Sequence, residues 1–253
     1  MNALRIGWIA IRELIHERFF YILIGFLGAS IAFSLLLGQM TYAEKAKLTF
    51  DFMLGSTHLI LVLFSIFMGV TLFQRELLSG SVSMILSKPI SRASFLLGKF
   101  LGQIGVQAAM AFCMGALTLG ICSQFDGNFS VLATAQTVAL IYAESVVLTA
   151  LTYAFAVNTG SLTTALLTLA LFSVGHMRQV VDSAFRAGEN PWSWRLGRTL
   201  IPDLEIFNMK SLASYGQSLA GTEFFWAVAY ALLCLGFYLA LALVTFERKD
   251  IAT

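Results

Sequence analysis

Glu144 is the one acidic residue that lies deep in an apolar run of this chain, near the middle of the stretch 132–157. An ionisable group at that depth costs several kcal/mol unless it is paired, hydrated or protonated, so it marks a functional position by default. Two roles are open to it: lining a polar path, or hydrogen-bonding helices together. Gln136 on the same run, and Gln103 or Gln107 on the run 95–122, are the side chains expected to partner it. His58 and His176 fall near the outer ends of two further runs, with Met177 beside His176. Copper handling calls for imidazole and thioether together. Met40, Met53, Met68 and Met177 nevertheless read as apolar fillers of a Met-rich chain, so no metal ligand is assigned.

Nucleotide chemistry is not expected of this chain. A phosphate loop has the form Gly-x-x-x-x-Gly-Lys-Ser/Thr after a strand, so that backbone N–H groups cradle phosphate and the hydroxyl holds magnesium. Around Gly98-Lys99 the first glycine position holds Ala93, and Phe100 follows the lysine. Neither a His-Glu-x-x-His helix nor a Gly-x-Ser-x-Gly elbow is present. The expectation is a non-enzyme that binds no cofactor of its own.

The elements that must hold these residues are membrane spans. Hydrophobic residues make up 58% of the 253-residue chain and charged ones 12%, against about 45–50% and 25% in soluble domains. Apolar runs at 19–40, 55–73, 95–122, 132–157, 160–177 and 224–246 predict an all-α polytopic fold with six transmembrane helices. Residues 41–54, with Glu44, Lys45, Lys47 and Asp51, read as a loop. Gly98, Gly102, Gly105, Gly115 and Gly120, and Ser30, Ser34 and Gly38 on the first run, read as close-packing positions between helices. Cys113, Cys122 and Cys234 form no CxxC pair and read as small packing residues. The whole of 1–253 is expected to be one transmembrane domain. The net charge of +2, with no basic block, does not suit nucleic acid.

Residues 2–17 are amphipathic. Leu4, Trp8, Ile11 and Ile15 share one stripe, and Arg5, Arg12 and His16 the other side. This predicts an interfacial helix over 1–18 on the cytoplasmic surface, with Trp8 at headgroup depth. Ile6 and Ile9 interrupt the polar side, as a covering partner protein would require. Residues 178–223 form the other non-spanning segment, expected on the outer side with short helices. Pro191, Trp192, Trp194, Arg195 and Arg198 suit the interface, and Pro202, Leu204, Ile206 and Phe207 suit folding back on the bundle.

Between the second and third runs, Gln74 to Gly102 is polar and charged. Ser79 or Ser81 can cap a turn that places Val82, Ile85 and Leu86 on one face. Pro89 ends it, and Ser91 or Ser94 can cap the next helix. Such a stiff, apolar-faced knob suits docking to a cytosolic partner; a solvated loop is the plainer alternative.

Glu76, Gly80, the run Leu86-Ser87-Lys88-Pro89-Ile90-Ser91-Arg92 and Leu97-Gly98-Lys99 resemble the cytoplasmic loop of ABC-2 type permeases, the membrane subunits of ATP-binding-cassette transporters. Ile201 to Asn208 and the ending Phe246-Glu247-Arg248-Lys249-Asp250-Ile251 are similar to the same family, within it most of all to the branch linked to multicopper-enzyme maturation and related export systems. The resemblance implies a permease subunit of an exporter, dimeric with itself or a sister permease and driven by a separate ATPase subunit that carries ATP and magnesium. Glu76, Gly80, Val82, Ile85, Leu86 and Arg92 would then couple to that ATPase, together with the interfacial helix bearing Arg5, Trp8 and Arg12. It also implies a bacterial inner-membrane location, room for an accessory or periplasmic protein, and an outer loop that caps the pathway.

With both termini inside, the cytoplasmic segments hold nine of the sixteen Lys and Arg residues, which favours that orientation weakly. Two other classes stay open: a non-transporting scaffold or mechanical transducer driven by an ATPase, and an ATPase-independent channel or carrier. The latter calls for a repeated span pattern or several intramembrane charges, where Glu144 stands alone.

Overall fold

The computed structural model describes residues 3–40, 45–78, 91–123, 130–177 and 201–248. Regular structure among them is helical: α1 (Ala3–His16), α2 (Arg18–Met40), α3 (Lys45–Leu78), α4 (Arg92–Cys122), α5 (Val131–Ala156), α6 (Ser161–His176), a 3-10 turn (Glu205–Phe207), α7 (Lys210–Ser214) and α8 (Gly221–Arg248). Four stretches are long and apolar enough to cross a membrane: Lys47–Leu72, Arg92–Cys122, Val131–Ala156 and Gly221–Arg248. Two shorter apolar helical stretches, Ile24–Phe33 in α2 and Ser161–His176, occupy the places of the expected first and fifth spans. The 16 residues of α6 amount to about 24 Å at 1.5 Å per residue, short of a hydrocarbon core of about 30 Å.

The starts of α4 and α5 follow from single side chains. Ser91 accepts from the Ser94 backbone N–H, and Ser130 accepts from that of Ala133, each satisfying an orphan donor of the first turn. α3 begins ten residues before the expected span at 55: Lys45 to Leu54 is helix, not loop. The reason is an apolar stripe the charges obscured. Phe50, Met53 and Leu54 recur at helical spacing and are fully buried.

α5 is the hub, packed against α3, α4, α6 and α8. Lipid offers apolar side chains as much as a protein core does, so packing and hydrogen bonding must hold these helices together. Hydroxyls on the buried faces bond back to carbonyls one turn earlier, as Thr57 does to Met53, Thr137 to Ala133, Thr152 to Leu148 and Thr168 to Thr164. A buried seam then joins three helices. Ser65 Oγ donates to the Ser145 carbonyl at 3.0 Å, Gln103 to the Ser65 carbonyl at 3.2 Å, and Gln107 to Ser65 Oγ at 3.0 Å and Thr149 Oγ1 at 2.8 Å.

The chain after α6 folds back onto the bundle, as Pro202, Leu204 and Phe207 led one to expect. Leu204 and Phe207 are fully buried, and Leu204 N–H donates to the Gly175 carbonyl at 3.3 Å. A Cβ on Gly175 would meet Leu204 Cγ and the Pro202 carbonyl oxygen, both at 2.9 Å, so only glycine permits this approach. The segment is pinned along its length. The Asp203 N–H donates to Tyr230 Oη at 2.7 Å, Ser214 Oγ donates to Asp51, and Lys47 lies 3.9 Å from the Tyr215 ring centroid. Gln136 clamps the backbone of Leu219, donating to its carbonyl at 3.4 Å and accepting from its N–H at 3.0 Å.

Candidate functional site

Two constellations stand at opposite ends of the bundle. The first lies under the folded-back segment. Glu144, 1% exposed, sits between two imidazoles supplied by α3 and α6. His58 Nε2 is 3.0 and 3.1 Å from the two carboxylate oxygens, and His176 Nε2 is 3.5 Å from Oε1. The ligating atoms of His58, Glu144 and His176 all lie within 4.8 Å of one another, a grouping that could hold a metal ion. Lys210, the first residue of α7, reaches in from the covering segment, its Nζ 2.7 Å from His58 Nδ1. Burial pulls the Lys210 pKa down, while the nearby carboxylates of Glu144 and Glu205 pull it up. Phe172 walls one side, its ring centroid 4.7 Å from that of His176 and 5.8 Å from that of His58.

Glu144 is therefore buried and partnered, but not by the expected residues. Gln103 and Gln107 are spent on the Ser65 seam and Gln136 on Leu219, so the glutamines act as helix glue. The partners of Glu144 are histidines 86 residues before it and 32 after it in the chain. Periodicity within a helix carries no signal for such an encounter, nor for the arrival of Lys210.

The second constellation is where α1, α4 and α8 meet. α1 presses on α4 so closely that a Cβ on Gly102 would lie 2.6 Å from the Gly7 carbonyl oxygen and 2.7 Å from Ala10 Cβ. The stripe it buries is Ile6, Ala10 and Leu14. Among the described residues of the expected apolar stripe, Trp8 and Ile15 are exposed and Ile11 is partly covered. Ile6 is buried within this chain itself, and Ile9 is exposed. Lys99, 2% exposed, pairs with Glu13 of α1. Arg12 stands 5.8 Å from the exposed Trp8 ring.

Arg92 opens α4 and turns to α8. Its Nη1 donates to the carbonyls of Phe246 at 3.2 Å and Glu247 at 3.1 Å. Those are last-turn carbonyls that lack helical partners, and the guanidinium also complements the negative end of the helix dipole. Phe95 stacks on Phe246 beneath it, ring centroids 6.3 Å apart. Of the other expected coupling residues, Glu76 is in the last turn of α3 and Arg5 is in α1, with side chains outside the described part. Gly80, Val82, Ile85 and Leu86 lie outside the described residues, as do the side chains of Ser30 and Ser34.

No curated protein matches the sequence closely. The profile of the family described as ABC-2 family transporter protein matches residues 9–251, nearly the whole chain. This apolar helical bundle is a membrane protein and belongs to the ABC-2 transporter family, the permease subunits of ABC transporters.

Proposed function

We propose that this chain couples ATP hydrolysis on a separate ATPase subunit to export through a dimeric membrane domain, with both termini in the cytosol and residues 201–220 capping the outer side. The observation that carries this reading is the tie among α1, α4 and α8. The segment 79–90, which bears Gly80, Val82, Ile85 and Leu86, enters α4 at Arg92. Arg92 holds the end of α8, and Lys99 and Gly102 hold α1. A push delivered through that segment reaches three helices as one body, which is what a two-state transporter driven by a partner's nucleotide cycle needs. Trp8 and Ile15, exposed on α1, suit contact with headgroups on the same side. Six crossings fit if α6 completes its passage with the covering segment.

Isolation in mild detergent is expected to bring down an ATPase subunit whose hydrolysis rate changes when the permease is present. Orientation is tested by single cysteines at Ser83 and Ser193, probed in intact cells with an impermeant thiol reagent. Labelling at 193 with protection at 83 is expected; the reverse overturns the orientation.

A further inference from the structure

We propose that His58, Glu144 and His176 form a three-ligand site for a divalent transition-metal ion of the zinc class. The inference goes beyond the transport reading and does not depend on it. Its first support is geometry. In a tetrahedral site with bonds of about 2.1 Å, neighbouring ligand atoms stand about 3.4 Å apart. Here His58 Nε2 is 3.0 Å and His176 Nε2 3.5 Å from oxygens of the same carboxylate, with all three ligand atoms within 4.8 Å. The second distance suits two ligands of one ion, and is long for a hydrogen bond.

The second support is the state of the ring nitrogens. His176 Nδ1 lies 3.3 Å from the Phe172 carbonyl oxygen, an arrangement in which Nδ1 carries the proton and Nε2 offers its lone pair. That Nε2 is buried with no hydrogen-bond partner, facing the carboxylate. An outer N–H bonded to a carbonyl is the usual way a metal-bound histidine is oriented. His58 stands differently: the Lys210 ammonium donates to its Nδ1, which puts the ring proton on Nε2 towards Glu144, so an ion must displace that proton to bind there.

The donor set fixes the class of ion. Two imidazoles and one carboxylate suit zinc and its borderline neighbours, and three protein ligands leave a fourth position for water or another donor. Met177 is 55% exposed and adds no described contact to the cluster, so sulfur coordination of a soft monovalent ion is not what these residues offer. Side-chain exposures of 12% for His58 and 20% for His176 leave the imidazoles partly accessible, while Glu144 is closed off. Among the described residues Lys210 is the positive group facing the cluster, and its charge opposes loading. The Lys210→Met variant, which keeps all three ligands, is expected to bind at least as tightly as the native chain.

The test uses the full chain in detergent, stripped with a chelator and titrated with zinc(II), then with cobalt(II) as a spectroscopic probe. One zinc per chain is expected, with an intense four-coordinate cobalt absorption and a zinc-dependent rise in melting temperature. Glu144→Gln and His176→Gln should each lower affinity by at least about 100-fold, since even outer-shell partners of metal ligands carry roughly 10- to 100-fold. Both should also lose the cobalt signature. Glu144→Gln is isosteric, and its gel-filtration profile and metal-free melting check that it folds. Equal zinc affinity in a folded Glu144→Gln chain, or no stoichiometric zinc in the native chain, overturns the proposal.

Discussion

The two ends of the bundle are closed by different physics. Under the folded-back segment, side chains from four elements form one cluster: His58 of α3 and His176 of α6 face the Glu144 carboxylate of α5, and Lys210 of α7 backs His58. At the other end, α1 and α4 meet backbone to backbone at Gly7 and Gly102, with Lys99 tied to Glu13 and Arg92 to the end of α8. The first kind of closure is electrostatic. The second is steric and stiff.

The largest expected effect comes from breaking the charged end. Glu144→Leu removes the acceptor of His58 and the negative charge beside His176 and Lys210, and removing one partner of a buried ionic group costs about 3–5 kcal/mol. Thermal unfolding in detergent should drop steeply for Leu and much less for Glu144→Gln. Equal melting of native and Leu chains would make the carboxylate incidental.

Next comes Gly102→Val at the steric end. Its Cβ would fall 2.6 Å from the Gly7 carbonyl oxygen, a backbone atom that cannot step aside. Overpacking of this kind costs about 1–3 kcal/mol. Limited proteolysis should release α1 from the variant while the cap-end contacts stay protected, and release of both ends together would deny that they are separate closures.

A smaller change is expected at the seam between the ends. Gln107→Leu removes bonds to Ser65 and Thr149, and interhelical hydrogen bonds in membranes average about 0.6 kcal/mol, with a ceiling near 1.7. Melting should shift by only a few degrees.

The smallest effect is one of pH. Burial holds the Lys210 pKa below its ordinary 10.5, so the folded state resists the ammonium more than the unfolded state does. That cost is complete below the folded pKa and fades as pH rises from there towards 10.5. Stability of the native chain should therefore gain slightly over this window relative to Lys210→Met. Parallel pH profiles would remove Lys210 from the charged end.

The steric end was largely legible in the sequence. Gly98 and Gly102 at four-residue spacing announce close helix approach, and Ser91 announces the start of α4. What the spacing could not name was the partner: α1 buries Ile6, Ala10 and Leu14, a stripe hidden because Trp8 and Ile15 made a more hydrophobic one on another side. At the charged end, Glu144 was legible as costly and hence partnered, but its partners were not. They are set by which turns of α3, α6 and α7 lie level with it in three dimensions. Likewise Lys45, Lys47 and Asp51 disguised the first turns of α3 as a loop, although Phe50, Met53 and Leu54 carried the helical period.

The central claim is that residues 79–90 receive the stroke of an ATPase subunit and that α4 passes it on. The sequence spacing predicts that Val82, Ile85 and Leu86 share one face of that segment, and burying side chains of this size contributes roughly 1.5–3 kcal/mol each. The most direct measurement is co-purification of the ATPase, with its hydrolysis rate, for the native chain and for the double variant Ile85→Asp, Leu86→Asp. The account predicts loss of the ATPase by orders of magnitude with membrane insertion unchanged, while Arg92→Ala keeps the ATPase bound and weakens only the tie to α8. Undiminished co-purification of the double variant would contradict it and leave the segment a solvated loop.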